Sequence, residues 1–434
     1  MEAQSEVKRA RQVVLILLFL GWALGNLDRY LINYAIVYIG HDLTLTSSET
    51  GIVLSAFFLG YAIMQMPGGL LADKFGAKKV LLIAVLSWSI FTGLTAVAWS
   101  LVAIVVIRFL FGIGEGGFQP SASKIIATVF PSDERSKAMS VLLSSGAIMA
   151  MIVPIISAWL LVSIGWRWFF VIAGLIGLLI TFLYWKYIKL PNEEAEEDTI
   201  EEVQASEPTS TSASETVSAS EAKEENVEHT GILMTIFKMP IMWTLLVAYF
   251  TIYAVNWGLN SWLPTYLTDI RSLDIISIGW LQLIPGFAMV IGMLVSGYII
   301  DKLTLKTNKI VGAGCATLLA LFLFLMFNAD SMPMFIAYQS IISLLMTYVT
   351  LLLPSFILKL IPAKVTGTAM GMANTGGQLA GFVTPMLIGF MIDAFDGSYN
   401  AAVWILVVLA AICIVAILLT QTKTGEGESE YETI

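Results

Sequence analysis

The sequence predicts an all-α integral membrane protein whose twelve transmembrane helices form two pseudo-symmetric six-helix halves. Three observations support this fold class. The 434 residues are 57% hydrophobic and only 13% charged, they contain repeated apolar runs, and one short motif occurs in corresponding places in both halves. A helix that crosses the hydrocarbon core of a bilayer needs about 20 mostly apolar residues, and each of these runs supplies roughly that number.

The apolar runs give twelve predicted spans in chain order. Their approximate bounds are 12–38, 50–72, 79–99, 102–128, 138–162, 166–189, 240–264, 276–300, 309–328, 332–358, 364–391 and 400–420. A β-barrel would need segments of about ten residues that alternate apolar and polar side chains. The run Leu101-Val-Ala-Ile-Val-Val-Ile does not alternate, so helices are favoured. We expect no cleavable signal, because the first run is long enough to span and no cleavage site follows it.

Most of the negative charge lies between spans six and seven. Residues 191–229 hold 13 acidic residues and one lysine, so this segment contributes −12 to the formal net charge of −9 and leaves the remainder at +3. Its Ser, Thr, Glu and Ala content, without aromatic residues, predicts a disordered linker. The predicted organisation is an N-terminal half (1–190), an acidic linker (191–236), a C-terminal half (237–421) and a tail (422–434).

The basic residues predict the orientation of the chain in the membrane. If both termini and the linker are cytoplasmic, the loops on that side hold 19 of the 23 lysine and arginine residues. The outer loops then hold only Arg167 and Arg271, and two further arginines lie inside spans. This bias is the one that the positive-inside rule requires. We therefore expect a multi-pass protein of the cell membrane with both termini in the cytoplasm.

An internal repeat supports the division into halves. Gly69 precedes Asp73-Lys74 at the end of span two, and Gly297 precedes Asp301-Lys302 at the end of span eight. Further lysines follow both motifs. Repeated halves are expected of a transporter that binds its substrate near the bilayer midplane between them.

The stretch from Gly69 to Lys79 resembles the signature loop of the major facilitator superfamily, and the resemblance covers nearly the whole chain. Pro131-Ser-Asp-Glu-Arg135 and Gly165-Trp166-Arg167 resemble other signatures of this superfamily. The resemblance implies that these loop motifs act in gating rather than in substrate contact. We expect a cytoplasmic charge network that holds the outward-open state, formed by Asp73, Lys74, Arg135 and Asp301.

Four ionisable residues fall inside the spans of the first half, and we place none in mid-membrane in the second half. They are Asp28 and Arg29 in span one and Arg108 and Glu115 in span four. Each costs about 2.5–3.5 kcal/mol on insertion scales, so each needs a partner or a purpose. Arg108 and Glu115 are two helical turns apart, roughly 10 Å along one face, which is too far for a direct ion pair.

Two interpretations of these charges remain open. In one, Asp28 pairs with Arg108 and Glu115 pairs with Arg29, and the pairs only hold two helices together, as buried pairs of little net stability do. In the other, the charges form a binding site. The second interpretation accounts better for their restriction to one half and for the glycines between Gly112 and Gly117, which allow close helix approach.

The segments Asn26-Leu-Asp28-Arg29 and Arg108-Phe-Leu-Phe-Gly-Ile-Gly-Glu115 resemble the anion:cation symporter family. The resemblance implies that Arg29 clamps a substrate carboxylate, and that Arg108 either assists it or holds Glu115. It also implies that Asp28 and Glu115 carry protons. Tyr61 corresponds to a position where members of the family often place a tyrosine that faces the substrate.

The second half offers neutral polar groups, for which interhelical hydrogen bonding and substrate contact are both open. Span seven ends in a Trp-Leu-Pro-Thr-Tyr sequence that resembles the family, and Asn374 and Gln378 share one face of span eleven. Amides and indoles suit a hydroxylated substrate. The candidate substrate contacts here are Asn256, Asn260, Trp262, Asn374 and Gln378.

These observations predict a secondary active transporter that imports a small organic anion, such as a sugar acid or another hydroxylated carboxylate, together with a proton. An organic-anion exchanger, an exporter and a nutrient sensor that does not transport remain alternatives. We expect no enzyme activity, cofactor or metal, because no nucleophile-base constellation or phosphate-binding loop is evident. The expected partners are the anion, the proton and membrane lipid, without nucleic acid, around a monomer.

Overall fold

A computed structural model of the chain describes residues 2–188, 236, 239–361 and 363–421. The predicted tail at 422–434 and the predicted linker at 191–236, apart from Ile236, lie outside the described residues. Helices dominate the described part. They are α1 (Glu2–Asp42), α2 (Ser47–Phe75), α3 (Ala77–Thr95), α4 (Leu101–Gly116), α5 (Phe118–Val129), α6 (Ser132–Tyr187), α7 (Pro240–Asp269), α8 (Ile275–Leu281), α9 (Leu283–Lys302), α10 (Leu305–Phe327), α11 (Met332–Leu360), α12 (Ala363–Ala394) and α13 (Asn400–Leu419).

Helix α6 crosses the membrane twice. Its 56 residues are interrupted at Gly165, whose φ of 78° and ψ of 160° are not helical. An unbroken helix of this length would extend for about 84 Å, more than twice the ~30 Å of a bilayer core. A glycine fits this turn because a Cβ disfavours positive φ. Eleven segments of the described chain are long and apolar enough to span, and the turn in α6 makes twelve passes.

Two predicted spans are divided by a short break, which the sequence-based bounds did not include. The fourth span consists of α4 and α5, and the eighth consists of α8 and α9. Pro120 and Pro285 lie four residues beyond the last residues of α4 and α8, Gly116 and Leu281. Because proline has no N–H to donate to the carbonyl four residues earlier, the helix ends at that point in both halves.

The helices α1–α6 form the first half and α7–α13 the second. We call the side where α1 begins and α13 ends the terminal face, and the other side the opposite face. The repeated motifs end α2 and α9 at the terminal face. Gly76, with a φ of 90°, makes the sharp turn from α2 into α3. In the second half Thr304 makes the corresponding turn, and its side chain accepts a hydrogen bond from Thr307 N.

The two halves pack tightly toward the opposite face. A Cβ on Gly51 of α2 would lie 2.6 Å from the carbonyl oxygen of Pro385 in α12, and one on Gly389 would collide with the carbonyl oxygen of Ser47. The carboxylate of Asp393 in α12 accepts hydrogen bonds from the backbone N–H groups of Ser47 (3.1 Å) and Ser48 (2.7 Å). These groups begin α2 and have no partner within the helix, so α12 caps α2 across the interface.

Both helices have more open surroundings toward the terminal face. On α12, a Cβ placed on Gly367 or Gly371 would meet no atom within 4 Å. On α2, the side chains of Met66 and Leu70 are exposed.

Candidate functional site

The four charges predicted inside the first half are buried together between α1 and α4. The exposed fractions are 2% for Asp28, 8% for Arg29, 1% for Arg108 and 0% for Glu115. Arg29 Nη2 donates to Glu115 Oε1 at 2.7 Å, and Arg108 Nη2 lies 3.3 Å from Asp28 Oδ2. These are the two ion pairs that the sequence suggested as one of its two interpretations. The other interpretation was that the four charges form a binding site. Arg108 was expected either to assist Arg29 or to hold Glu115. In the structure it pairs with Asp28, and Glu115 pairs with Arg29.

Arg29 lies in an aromatic cage. Its guanidinium carbon is 5.0 Å from the ring centre of Phe57, 4.9 Å from that of Tyr61 and 5.8 Å from that of Trp22. Such rings stabilise a cation through their negative faces. Its Nε is buried without a hydrogen-bond partner. The guanidinium is thus held in place while part of its donor capacity remains unused.

Glu115 is also only partly satisfied. Its Oε1 accepts the bond from Arg29, whereas its Oε2 is buried without a partner. A Cβ on Gly25 of α1 would lie only 3.1 Å from Glu115 Oε1, so this glycine gives the carboxylate room beside α1. A buried acceptor without a donor is costly.

Arg108 is more enclosed and less closely paired than Arg29. Its distances to Asp28 Oδ1 and Oδ2 are 3.4 and 3.3 Å, and it lies 3.5 Å from Thr95 Oγ1. The rings of Phe111 and Phe170 cover it at 4.9 and 5.3 Å. Arg108 therefore ties α4 to α1, α3 and the second pass of α6.

Tyr61 belongs to the same cluster, as its position suggested. It is 1% exposed, and its hydroxyl donates to Gln119 Oε1 over 3.4 Å. Gln119 was not among the predicted site residues. It lies in the first turn of α5, directly after the break in the fourth span.

The candidate substrate-binding residues of the second half make their described hydrogen bonds within that half. Asn260 is exposed, and its amide donates to the backbone oxygen (2.8 Å) and side-chain oxygen (3.1 Å) of the partly buried Asn256. Trp262 Nε1 donates to the carbonyl oxygen of Pro385 at 2.9 Å and so joins α7 to α12. Asn374 is partly buried, and Gln378 is 6% exposed with its Oε1 unpaired. No described contact brings these five residues to the four charges.

One residue that sequence reasoning missed joins the two halves. Trp257 of α7 lies 4.7 Å from the ring of Phe58 in α2 and 6.2 Å from that of Tyr30 in α1. It is 5% exposed, and its Nε1 has no hydrogen-bond partner. The sequence feature that could have identified Trp257 is its position inside a span, between the candidate Asn256 and Gly258.

The predicted gating residues make their described contacts within their own halves. Asp73 accepts a bond from Lys124 Nζ at 2.7 Å, and Lys74 lies 5.4 Å from the ring of Phe75. Arg135 Nε donates to the carbonyl oxygen of Phe130 at 3.0 Å. Asp301 is exposed at the end of α9. These contacts do not join the four residues to one another, and the charge network expected in the outward-open state stays a prediction.

Comparison with known proteins gives the chain clear relatives. The family model described as the Major Facilitator Superfamily matches residues 18–385. A probable sulfoacetate transporter of Cupriavidus necator is 31% identical over 406 residues, covering 90% of this chain and 89% of that protein. A hexuronate transporter of Bacillus subtilis is 30% identical over 413 residues, covering 90% of each. A probable galactarate/D-glucarate transporter of the same organism is 26% identical, covering 94% and 90%.

Solved structures agree on the fold. A bacterial homologue of the human lysosomal transporter Spinster, in an inward-facing and unoccupied conformation, superposes with a TM-score of 0.75 at 18% identity, covering 94% of this chain and 97% of that one. A D-xylose-proton symporter superposes with a TM-score of 0.72 at 16% identity, covering 96% and 98%. At these identities the likeness concerns the architecture alone.

Proposed function

We propose that this chain, which belongs to the Major Facilitator Superfamily, imports a small organic anion together with a proton by alternating access. The observation that carries the proposal is the buried pair of Arg29 and Glu115, in which each partner keeps an unpaired atom. The pair is buried and oriented, yet its hydrogen bonding is incomplete. We infer that an arriving anion and a proton complete it.

The anion is proposed to bind Arg29. A guanidinium presents a planar fork of donors that matches a carboxylate or a sulfonate, and it stays charged at any working pH. The cage of Trp22, Phe57 and Tyr61 holds this fork in place. Arg108 is already covered by two rings and directed to Asp28, so we assign it a supporting role.

The proton is proposed to bind Glu115. With all four groups ionised, the two pairs sum to zero charge, and an added monovalent anion such as a hexuronate would leave one uncompensated negative charge in a buried site. Such a charge is strongly unfavourable. A proton on Glu115 restores neutrality and frees Arg29 for the anion. Asp28, paired with Arg108 over a longer distance, is the second candidate carrier.

The substrate class is inferred from the relatives together with the second half. The relatives are a probable sulfoacetate transporter, a hexuronate transporter and a probable galactarate/D-glucarate transporter, and the substrates in these names are all small anions. The unpaired oxygen of Gln378 and the partly buried Asn256 suit the hydroxyl groups of a sugar acid. A hydroxylated carboxylate is therefore our first choice.

We further propose that the terminal face is cytoplasmic and that this conformation faces inward. The bias of lysine and arginine toward that face supports the orientation. The tight packing of Gly51 and Gly389 closes the opposite face, while α2 and α12 have more open surroundings toward the terminal face. Asp73 and Arg135 are expected to exchange their present contacts for contacts across the halves when the carrier faces outward. The 191–236 segment is proposed to be a tether.

The test is uptake into proteoliposomes. Purified protein should accumulate radiolabelled hexuronate, galactarate or sulfoacetate when the exterior is acidic, and a protonophore should abolish accumulation. Counterflow without any response to the pH gradient would indicate an exchanger. Binding without counterflow would indicate a sensor, and either result would contradict the proposed symport.

A further inference from the structure

Among the described residues, Trp257 is the one tryptophan whose buried N–H has no hydrogen-bond partner. The contrast with Trp166 is direct. Both side chains are 5% exposed, but Trp166 Nε1 donates to Asp42 Oδ2 at 2.8 Å. A buried donor that lacks an acceptor carries a desolvation cost of the size of a lost hydrogen bond. Such a group at a packed position calls for a functional explanation.

The position of Trp257 is as informative as its missing partner. It belongs to the second half, yet it packs within the hydrophobic cluster of the first half together with Phe58 and Tyr61. Its ring lies 4.7 Å from that of Phe58, and Phe58 in turn lies 5.0 Å from Phe57, which faces Arg29. The indole thus reaches from α7 to the aromatic wall of the charged site.

Residues of α1 and α12 surround the contact between Trp257 and Phe58. Tyr30, which follows Arg29 in α1, lies 6.2 Å from the Trp257 ring. On the other side, a Cβ on Gly381 of α12 would collide with the ring of Phe58. The aromatic groups of Tyr30, Phe58 and Trp257 therefore meet where α1, α2, α7 and α12 converge, at the level of the charged site.

We propose that the N–H of Trp257 donates a hydrogen bond to the transported anion, at an oxygen remote from the carboxylate that Arg29 binds. This rests on the proposed function. The two halves then bind opposite ends of one molecule, Arg29 from the first and Trp257 from the second. The acceptor is a hydroxyl, sulfonate or second carboxylate oxygen, so a ligand without a remote oxygen gains nothing from this donor.

The test is the variant Trp257→Phe, which keeps an aromatic ring and removes the donor, with Trp166→Phe as the matched control. The probes are D-glucuronate, D-galactarate and sulfoacetate, with propionate as the anion that has no remote oxygen. Binding to the purified full chain is measured by calorimetry, and unfolding without ligand is measured by thermal denaturation.

For Trp257→Phe we expect the Kd of a probe with a remote oxygen to rise about 5- to 10-fold, which corresponds to one neutral hydrogen bond. Any weak binding of propionate should not change. The unfolding temperature without ligand should fall less than in Trp166→Phe, because both variants lose buried ring volume but only Trp166 also loses a hydrogen bond. Trp166→Phe should give the reverse result, with unchanged Kd values and the larger fall in unfolding temperature, because Asp42 loses one of its two donors and keeps only Arg167.

Unchanged Kd values in Trp257→Phe, while the wild type binds the probes and Arg29→Lys does not, would overturn the role of Trp257 and leave the proposed function intact. A fall in unfolding temperature as large as that of Trp166→Phe would also overturn it, since the N–H would then be engaged within the protein. If the wild type binds none of the three probes, the proposed function fails and this role fails with it.

Discussion

The two halves of the molecule satisfy their buried polar groups in different ways. In the first half, charged pairs link α1 to α4, and Arg29, Arg108 and Glu115 each retain a buried atom without a partner. In the part of the second half that the structure describes, the buried hydrogen bonds between helices join neutral groups. Gln282 and Gln339 exchange two amide hydrogen bonds of 3.2 and 2.6 Å. The first half is thus the one whose electrostatics a proton or an anion can change.

The side chain of Asn308 makes a second set of neutral hydrogen bonds in the second half. Asn308 donates to the carbonyl oxygens of Ile300 (2.8 Å) and Leu303 (3.1 Å), and accepts from Tyr348 at 2.7 Å. It therefore caps the end of α9 and joins α10 to α11. Fully bonded amides of this kind rigidify a helix bundle. The difference between the halves is that buried ion pairs join helices of the first, whereas bonded amides join helices of the second.

The largest expected effect concerns Glu115. Glu115→Gln should abolish accumulation driven by a pH gradient and should spare counterflow, because the amide keeps the shape of the carboxylate but takes up no proton. The measurement is radiolabelled uptake into proteoliposomes with and without the gradient. Asp330→Asn, at an exposed carboxylate between α10 and α11, is the control and should accumulate normally. Normal accumulation by Glu115→Gln would remove the coupling role.

The second-largest expected effect is the loss of anion affinity in Arg29→Lys. Arg29→Lys keeps the charge and loses the planar fork, so we expect affinity for the anion to fall about 10- to 100-fold, the range of one or two charge-assisted hydrogen bonds. Calorimetry on purified protein measures it. Arg271→Lys is a matched control, since Arg271 donates to the carbonyl oxygen of Ala329 at 2.8 Å in the second half. Wild-type affinity in Arg29→Lys would refute the clamp.

The neutral half should respond in stability rather than in coupling. Gln282→Leu or Gln339→Leu alone leaves an unpaired buried amide and should cost about 1–3 kcal/mol, whereas the double variant should cost less than the sum. Unfolding of the detergent-solubilised variants measures both. Accumulation by the properly inserted variants should remain dependent on the proton gradient. Additive costs in the double variant would show that the two amides do not interact.

The smallest expected effect concerns the contact that closes the opposite face. Asp393→Asn removes the negative charge at the start of α2, where such a charge contributes about 0.3–1 kcal/mol. We expect the population with the opposite face open to rise about two- to fivefold. Distances between spin labels on α2 and α12 measure that population. An unchanged distribution would mean that the packing of Gly51 and Gly389 alone closes this face.

Much of the fold could be predicted because apolar runs and lysine-rich loops are properties of single segments. The twelve passes, the repeat and the turn region around Gly165 follow from local sequence. The breaks after Gly116 and Leu281 were missed because several prolines elsewhere, such as Pro67, lie inside unbroken helices. Whether a proline ends a membrane helix depends on what neighbouring helices offer to the freed carbonyl.

The candidate site was predicted unevenly for a related reason. Spacing placed Arg108 and Glu115 on one face of the fourth span, but spacing within one helix does not specify how that helix is rotated against α1. The sequence therefore offers the pairs Asp28–Arg108 and Arg29–Glu115 as one of two interpretations and does not decide between them. Gly25 and Trp257 were missed because their roles lie in contacts with other helices, which no pattern within a single span records.

The central claim is that an anion displaces Glu115 from Arg29 while Glu115 takes up a proton. The most direct measurement is proton uptake when galactarate, a hexuronate or sulfoacetate is added to purified protein in weak buffer near neutral pH. Linkage predicts uptake of about one proton per bound anion in the wild type and a clear reduction in Glu115→Gln. Binding of the anion by the wild type with no proton uptake would contradict the account.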